Sequence, residues 1–155
     1  MLTRVAVFVC SFGYIGFFPF APGTVGSAAG LAIYALTRHS GVPYLEALLI
    51  ATLFIAGVVL TRPCEEDLQC TDPGPIVIDE VMGMLVTLFM IPVGWLGMLA
   101  GFLLFRALDV AKPFPARQLE RLHGGFGVMT DDAMAAIYAN LLLRGAHYLA
   151  PGWLS

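Results

Sequence analysis

Charged residues are scarce in this sequence of 155 residues. Asp, Glu, Lys and Arg make up 12% of the chain, whereas hydrophobic residues make up 59%, and the mean hydropathy is +0.84. Soluble domains average about 25% charged and roughly 45–50% apolar residues, so a soluble chain of this size would expose much of its apolar surface. The composition therefore predicts an integral membrane protein. The net charge of −3 and the lack of a long basic run give no support for a nucleic-acid partner.

Paired cysteines and a signal-peptide cleavage site are also missing. The three cysteines form no CxxC pair, and although Cys64 and Cys70 are near enough in sequence to be bridged, an odd number favours free thiols. We assign Cys10, Cys64 and Cys70 no chemical role. The apolar N-terminal stretch is interrupted by Gly and aromatic residues and lacks a small-residue cleavage site, so we expect it to be retained.

Long uninterrupted apolar runs are few. Five apolar stretches predict helices, and only the second and the last approach the roughly 20 residues that cross a bilayer. They lie at about 28–38, 44–61, 80–92, 94–109 and 132–150. We expect the shorter, glycine-rich helices to be partly embedded or to pack through small residues, and the first 20 residues are compatible with a further, broken helix. No repeat or linker divides the chain, so we predict a single domain, 1–155. The predicted helices make the fold class all-α, a polytopic membrane helical bundle.

Polar residues are confined to three clusters, at 19–27, 61–80 and 105–132. If the first two helices form a hairpin, and the next two another, all three clusters lie on one side of the membrane. That side carries most of the cations, namely Arg62, Arg106, Lys112, Arg117 and Arg121, whereas the opposite turns carry Arg38 and Arg144. Excess Lys and Arg mark the cytoplasmic side, which predicts a single site facing the cytoplasm.

Carboxylates dominate two of these clusters. Of the 11 acidic residues, all but Glu46 lie in or beside the second and third clusters. Hard cations such as Mg²⁺ take oxygen ligands, and carboxylates with few His and no paired Cys suit Mg²⁺ better than zinc. The candidate metal ligands are Asp79, Glu80, Asp109, Asp131 and Asp132, and together with Lys112 they are the candidate catalytic residues.

The spacing of Arg106, Asp109 and Lys112 predicts a shared helical face. Residues at i, i+3 and i+6 lie on roughly the same side of a helix, so this face offers a carboxylate to a metal and cations to phosphate. Pro113 and Pro115 are expected to end that helix.

Two glycine-containing turns are the remaining candidate phosphate-binding groups. In "GGFGVMTDD", Gly124, Gly125 and Gly127 precede a helix, and backbone N–H groups of such a turn bind phosphate. In "APGTVGS", a Pro-Gly turn is followed by Thr24 and Ser27, whose hydroxyls are available for phosphate at a helix start.

Each candidate also has a purely structural explanation. Thr24, Ser27 and Asp131 belong to residue types that commonly cap helices. Structural roles are open to the remaining polar residues as well: solvated interface carboxylates at Asp79 and Glu80, an ordinary ion pair between Arg106 and Asp109, and a loop position for His123. Convergence on one membrane face favours the functional explanation, because independent caps and ion pairs have no reason to share a face.

Four separated motifs carry a family resemblance. "PFAPGTVGS", "IVIDEVMGM", "FRALDVAKPFPA" and "GGFGVMTDDAMAAIYAN" resemble, in order and spacing, the signatures of the phosphatidylglycerophosphatase A family, from about position 11 to 145. The departures are Pro75 before "IVIDE" and Phe114 where a residue such as Trp is common. Neither removes a candidate ligand.

The resemblance implies an enzyme of bacterial phospholipid biosynthesis. Members of the family hydrolyse phosphatidylglycerophosphate to phosphatidylglycerol and phosphate with Mg²⁺, at the bacterial cytoplasmic membrane. The motif positions correspond to Thr24, Ser27, Asp79, Glu80, Arg106, Asp109, Lys112, Asp131 and Asp132. The implied partners are the lipid substrate and the membrane, and the oligomeric state is left open.

Different chemistries are less well matched. No cysteine stands five residues before an Arg, and neither a DxDxT loop nor a His-based lipid phosphatase pattern occurs. A phosphotransferase acting on lipids would carry a DGxxAR-type signature, which is absent. A cation or solute carrier would distribute ionisable groups through the membrane depth. The phosphotransferase and the carrier both remain open beside the phosphatase.

Overall fold

All regular secondary structure in the described part of the chain is helical, and this part contains no strand. The computed structural model describes residues 2–42, 44–71, 73–119, 122, 124–150 and 152, apart from the side chain of Leu2. The helices are α1 (Leu2–Cys10), α2 (Pro22–Ser40), α3 (Leu45–Leu68), α4 (Ile78–Leu88), α5 (Trp95–Ala111), α6 (Ala116–Leu119) and α7 (Gly125–Leu149), with a 3₁₀ turn at Ile15–Phe17. The all-α prediction is confirmed, and so is the broken helix in the first 20 residues.

Three helices extend into the segments expected to be polar turns. Helix α2 begins at Pro22. Proline suits the first helical position because an N–H there would have no acceptor within the helix, so its absence costs nothing. Helix α3 continues through Pro63 to Leu68, and α7 begins at Gly125, seven residues before its predicted start. The polar clusters are therefore largely helix ends, which hold their side chains more firmly than loops would.

Helix α4 lies at the centre of the bundle. Nine of its 11 residues are buried, and α2, α3, α5 and α7 all pack against it. The main partner of α2 is α4, whereas α3 packs chiefly against α1 and α7, so the expected pairing of α2 with α3 is a minor contact. With 11 residues, α4 is about 16 Å long and too short to cross a bilayer.

Glycines let α2 approach α4 closely. A β-carbon added at Gly26 would lie 2.8 Å from Val77 Cβ, and one at Gly30 would lie 2.6 Å from the carbonyl oxygen of Val81. Real β-carbons essentially never lie less than 3.0 Å from another heavy atom in this way, so a larger residue would push the two helices apart. The expected packing through small residues is confirmed at this contact.

Side chains of α7 satisfy the carbonyl groups at the C-terminal end of α4. Asn140 Nδ2 donates to the carbonyls of Val86, Thr87 and Phe89 at 3.0–3.1 Å. Arg144 Nη2 donates to Phe89 O at 2.9 Å. A helix that ends inside a bundle leaves its last carbonyls without intrahelical partners. Asn140 and Arg144 supply the hydrogen-bond donors for these carbonyls.

One described helix, α3, is long and apolar enough to cross a membrane. It has 24 residues, and only 17% of its most apolar window is buried inside the bundle. Large apolar side chains are also exposed along α5 and α7, including Leu99, Leu103 and Leu141. Water is a poor solvent for such a surface, and lipid is a good one.

Candidate active site

The predicted site residues meet in a cavity of about 350 Å³ at one end of the bundle. The cavity lies between the N-terminal ends of α2, α4 and α7 and the C-terminal end of α5. All seven charged residues predicted for the site line it, namely Asp79, Glu80, Arg106, Asp109, Lys112, Asp131 and Asp132. Residues separated by more than 50 positions in the chain therefore share one polar chamber in an otherwise apolar molecule.

Three of the carboxylates converge closely. Asp79, Glu80 and Asp132 each offer an oxygen within 4.8 Å of the other two. Asp79 is 8% exposed and Asp132 is 4% exposed. Asp79 and Glu80 lie in the first turn of α4, and Asp132 lies about two turns into α7, so the contact between these helices sets the geometry of the group.

Each of these three carboxylates keeps one oxygen without a partner. Asp79 Oδ1, Glu80 Oε2 and Asp132 Oδ2 are buried and accept no hydrogen bond from any residue that the structure describes. A buried acceptor without a hydrogen-bond donor raises the free energy of the folded protein, and a buried charge without a partner raises it further. The three oxygens are consequently suited to coordinate a cation.

Burial changes the acidity of the pair on α4. It raises the pKa of Glu80 to about 7, against the effect of Asp79 and Arg106. The pKa of Asp79 is raised well above its usual value, mainly by burial and secondly by the charge of the neighbouring Glu80. A bound divalent cation would offset both effects. The donor set is oxygen only, which fits a hard cation such as Mg²⁺.

The remaining two carboxylates are neutralised by cations on α5 and at its end. Arg106 Nη1 lies 2.5 Å from Asp109 Oδ2 and 3.8 Å from Glu80 Oε1. Lys112 Nζ lies 2.7 Å from Asp131 Oδ2. The ion pair between Arg106 and Asp109 is thus confirmed, although both residues also line the cavity. Metal binding by Asp109 and Asp131 stays a prediction.

The end of α5 directs Lys112 towards α7. Lys112 adopts a left-handed backbone conformation, with φ of 43°, and its N–H bonds to Leu108 O to close the helix. This turn carries the side chain across to Asp131, 19 residues later in the chain. The expected helix end before Pro113 is confirmed.

Gly23 is a site residue that the sequence pattern did not single out. It lines the cavity, and a β-carbon there would overlap Glu80 Oε1 and lie 3.2 Å from Arg106 Nη1. The spacing of Gly23, Gly26 and Gly30 places all three on one face of α2, and this spacing was the available clue. Only the packing of α2 on α4 shows that Gly23 faces the carboxylate.

The hydroxyl residues of α2 do not line the cavity. Ser27 is fully buried, and its Oγ donates to Gly23 O at 2.9 Å within the helix. Thr24 is half-buried and is the third residue of α2. Because Ala21 occupies the N-cap position, neither residue caps the helix, and their binding of phosphate stays a prediction.

The glycine turn contributes Gly124 to the cavity. Gly125 packs against α3, where a β-carbon would lie 2.6 Å from Val58 O, and Gly127 N bonds to Gly124 O at 3.0 Å. Helix α7 begins at Gly125, so Asp131 is too far along it to be a cap. Arg121 and His123 lie outside the described residues.

The fold and the site define an all-helical protein with an acidic cavity at one end of its bundle, in which three carboxylates are placed closely enough to hold a metal ion. A family model described as phosphatidylglycerophosphatase A matches residues 8–147. The chain belongs to the phosphatidylglycerophosphatase A family.

Individual relatives agree with this family membership. The chain is 38% identical over 130 residues to phosphatidylglycerophosphatase A of Haemophilus influenzae, covering 83% of this chain and 80% of the relative. It is 38% identical over 144 residues to phosphatidylglycerophosphatase A of Escherichia coli, covering 90% and 83%. A Bacteroides thetaiotaomicron protein, whose name provisionally assigns it a phosphatidylinositol-3-phosphatase activity, is 34% identical over 144 residues, covering 86% and 88%. No solved structure matches the chain.

Proposed function

We propose that this protein is a metal-dependent lipid phosphatase that hydrolyses phosphatidylglycerophosphate to phosphatidylglycerol and inorganic phosphate. The observation that carries the proposal is the convergence of Asp79, Glu80 and Asp132 in one cavity with the cations Arg106 and Lys112. A metal-binding carboxylate group beside fixed positive charge suits transfer of a phosphoryl group to water. Membership of the family, and the names of its relatives, select this lipid among phosphomonoesters.

Asp79, Glu80 and Asp132 would hold the metal, for which we propose Mg²⁺. Their unpartnered buried oxygens are the supporting observation. When bound, the ion supplies positive charge that polarises the phosphoryl group and lowers the pKa of water. Asp109 and Asp131 border the same cavity and are the remaining candidates for ligands.

The cations of α5 bind and orient the phosphate in this proposal. Arg106 presents its guanidinium beside Glu80, and Lys112 presents its ammonium beside Asp131. Both groups stabilise the negative charge that develops on the transferring phosphoryl group. A water molecule adds its oxygen to phosphorus, the bond from phosphorus to the glycerol oxygen breaks, and a proton passes to that oxygen.

We further propose a multi-pass arrangement with the cavity facing the cytoplasm. The distribution of Lys and Arg and the apolar exterior support it. Acyl chains would remain in lipid while the head group enters the cavity. The described carboxylates other than Glu46 collect at one end of the bundle, whereas a carrier needs a pathway through it. The phosphatase therefore accounts for them better than a carrier does.

The decisive experiment measures phosphate release by the purified protein in mixed micelles, with Mg²⁺ or with a chelator. The substrates are phosphatidylglycerophosphate, phosphatidic acid and phosphatidylinositol 3-phosphate. We expect release from phosphatidylglycerophosphate to exceed release from the other two and to require the metal. Faster release from phosphatidylinositol 3-phosphate would instead give this chain the activity named for the Bacteroides relative, and no release from any lipid would overturn the proposal.

A further inference from the structure

A second cavity, of about 300 Å³, adjoins the acidic one. It is lined by Lys112, Phe114, Arg117 and Gln118, and Lys112 lines both cavities. The two chambers have opposite chemistry. The first is rich in carboxylates, whereas the described lining of the second contains two cations, one amide and one aromatic ring, with no acidic residue.

Arg117 carries a positive charge that has no partner in the part of the chain that the structure describes. It is exposed, and it makes no hydrogen bond or ion pair among the residues that the structure describes. Lys112, by contrast, is held at 2.7 Å by Asp131. Arg117 is therefore the principal cation available to an anionic ligand in the second cavity, since a guanidinium binds phosphate oxygens in a bidentate way.

The segment that carries Arg117 is anchored. The neighbouring Ala116 is fully buried, and its N–H bonds to Pro113 O at 2.8 Å. Tyr138 of α7 donates its hydroxyl to Phe114 O at 2.8 Å. Arg117 consequently has a defined place beside the catalytic cavity rather than on a free loop.

Exposed apolar side chains lie in and near the segment that lines this second cavity, where Phe114 is one of the lining residues. Phe114 is 75% exposed, and Val110 on the last turn of α5 is 76% exposed. The carboxylates thus line the first cavity, Lys112 lines both, and Arg117 lines the second together with the exposed ring of Phe114. A phospholipid with a terminal phosphate has a matching series of groups: terminal phosphate, glycerol, phosphodiester and acyl chains.

We propose that Arg117, with Lys112, binds the phosphodiester of the lipid head group while the terminal phosphate occupies the acidic cavity. This inference rests on the proposed function and adds a specificity residue to it. Arg117 touches the part of the substrate that does not react, so it strengthens binding and selects lipids that carry both phosphates. Phosphatidic acid, which has a single phosphate, cannot use the second cavity.

The test compares Arg117→Gln with wild type in mixed micelles of phosphatidylglycerophosphate. Hydrogen bonds to charged groups contribute enough that we expect KM to rise roughly tenfold at unchanged kcat. Arg117→Lys should recover part of the loss. Arg62→Gln is the matched control, because Arg62 is an exposed arginine on the same face that pairs with Glu66 and lines neither of these cavities.

Product inhibition distinguishes direct binding of the phosphodiester by Arg117 from a purely structural role of this residue. Phosphatidylglycerol carries the diester alone, so its inhibition should weaken about as much as substrate binding in Arg117→Gln. Inorganic phosphate occupies only the terminal-phosphate site, so its inhibition should stay unchanged. An unchanged KM in Arg117→Gln, or an equal rise in Arg62→Gln, would overturn the assignment while wild-type turnover upholds the phosphatase. Absence of wild-type turnover would overturn the phosphatase itself.

Discussion

Gly23 on α2 and Glu80 on α4 are in contact, and the contact has no room for a β-carbon. The same atom would also lie 3.2 Å from Arg106 Nη1. Gly23 thereby lets the first turn of α2 close over the carboxylate pair. The absence of a side chain at position 23 therefore determines where the Glu80 carboxylate can lie.

Gly23→Ala should displace Glu80 and lower turnover at least tenfold, about 1.4 kcal/mol in transition-state stabilisation. The displacement follows because the added methyl overlaps Glu80 Oε1. Turnover is measured in mixed micelles, and the helical content is checked by circular dichroism. Gly145→Ala is the control, because a β-carbon at Gly145 meets nothing within 4 Å. Equal activity of Gly23→Ala and wild type would show that Glu80 is not held by this contact.

Asp79→Asn and Asp132→Asn should each lower turnover a hundredfold or more, on the order of 3 kcal/mol. Asparagine keeps the volume but removes a charge from the metal-binding group. Without metal, each variant should unfold at a higher temperature than wild type, because a buried charge near other carboxylates has been removed. Adding Mg²⁺ should raise the melting temperature of wild type and have little effect on the variants. Near-normal turnover in both variants would rule out the proposed metal site.

Lys112→Ala should lower turnover and also stability, because Asp131 loses the cation at 2.7 Å. The double variant Lys112→Ala, Asp131→Asn should recover stability but not turnover, since removing both charges leaves no uncompensated carboxylate. Lys112→Arg should recover part of the turnover, since a planar guanidinium replaces a compact ammonium. Chemical denaturation and kinetics on the same three variants separate the two effects. Recovery of turnover by the double variant would mean that Lys112 acts only through Asp131 and does not meet phosphate.

The thiols should be dispensable for catalysis. Cys10 and Cys64 are buried and Cys70 is exposed, and all three are free. Burial, followed by the neighbouring Cys64, raises the pKa of Cys10 to about 12, so its thiol is not a thiolate at neutral pH. A variant with all three replaced by Ala or Ser should keep wild-type turnover, measured in the same micelle assay. A large loss would point to a role for one thiol.

Cys70 also reports the topology. With Cys10 and Cys64 replaced, Cys70 should react with an impermeant maleimide only from the cytoplasmic side of the membrane. A cysteine introduced at Ser40, at the exposed end of α2, should react from the opposite side. Labelling of both positions from one side would contradict the proposed arrangement.

Composition and apolar stretches predict most of the helices, because a segment buried in lipid or in a protein core consists mainly of apolar residues. They also predict seven of the charged residues that line the cavity, because ionisable groups are costly in an apolar chain and are kept mainly where they have a function. The helix ends were less predictable. Helix α3 extends to Leu68 and α7 begins at Gly125 because tertiary packing stabilises polar turns that look like loops in the sequence.

Partner choice among the charged groups was decided only by the tertiary structure. Five carboxylates look equivalent in the sequence, but Asp79, Glu80 and Asp132 share a point in space, while Asp131 meets Lys112. These arrangements depend on how α4, α5 and α7 are rotated and how far apart they lie. Gly23, Gly26 and Gly30 set the spacing of α2 and α4, and the Lys112 turn directs its side chain to α7. Residue type determines what chemistry is available, and interhelical distances determine which oxygens and cations can act together.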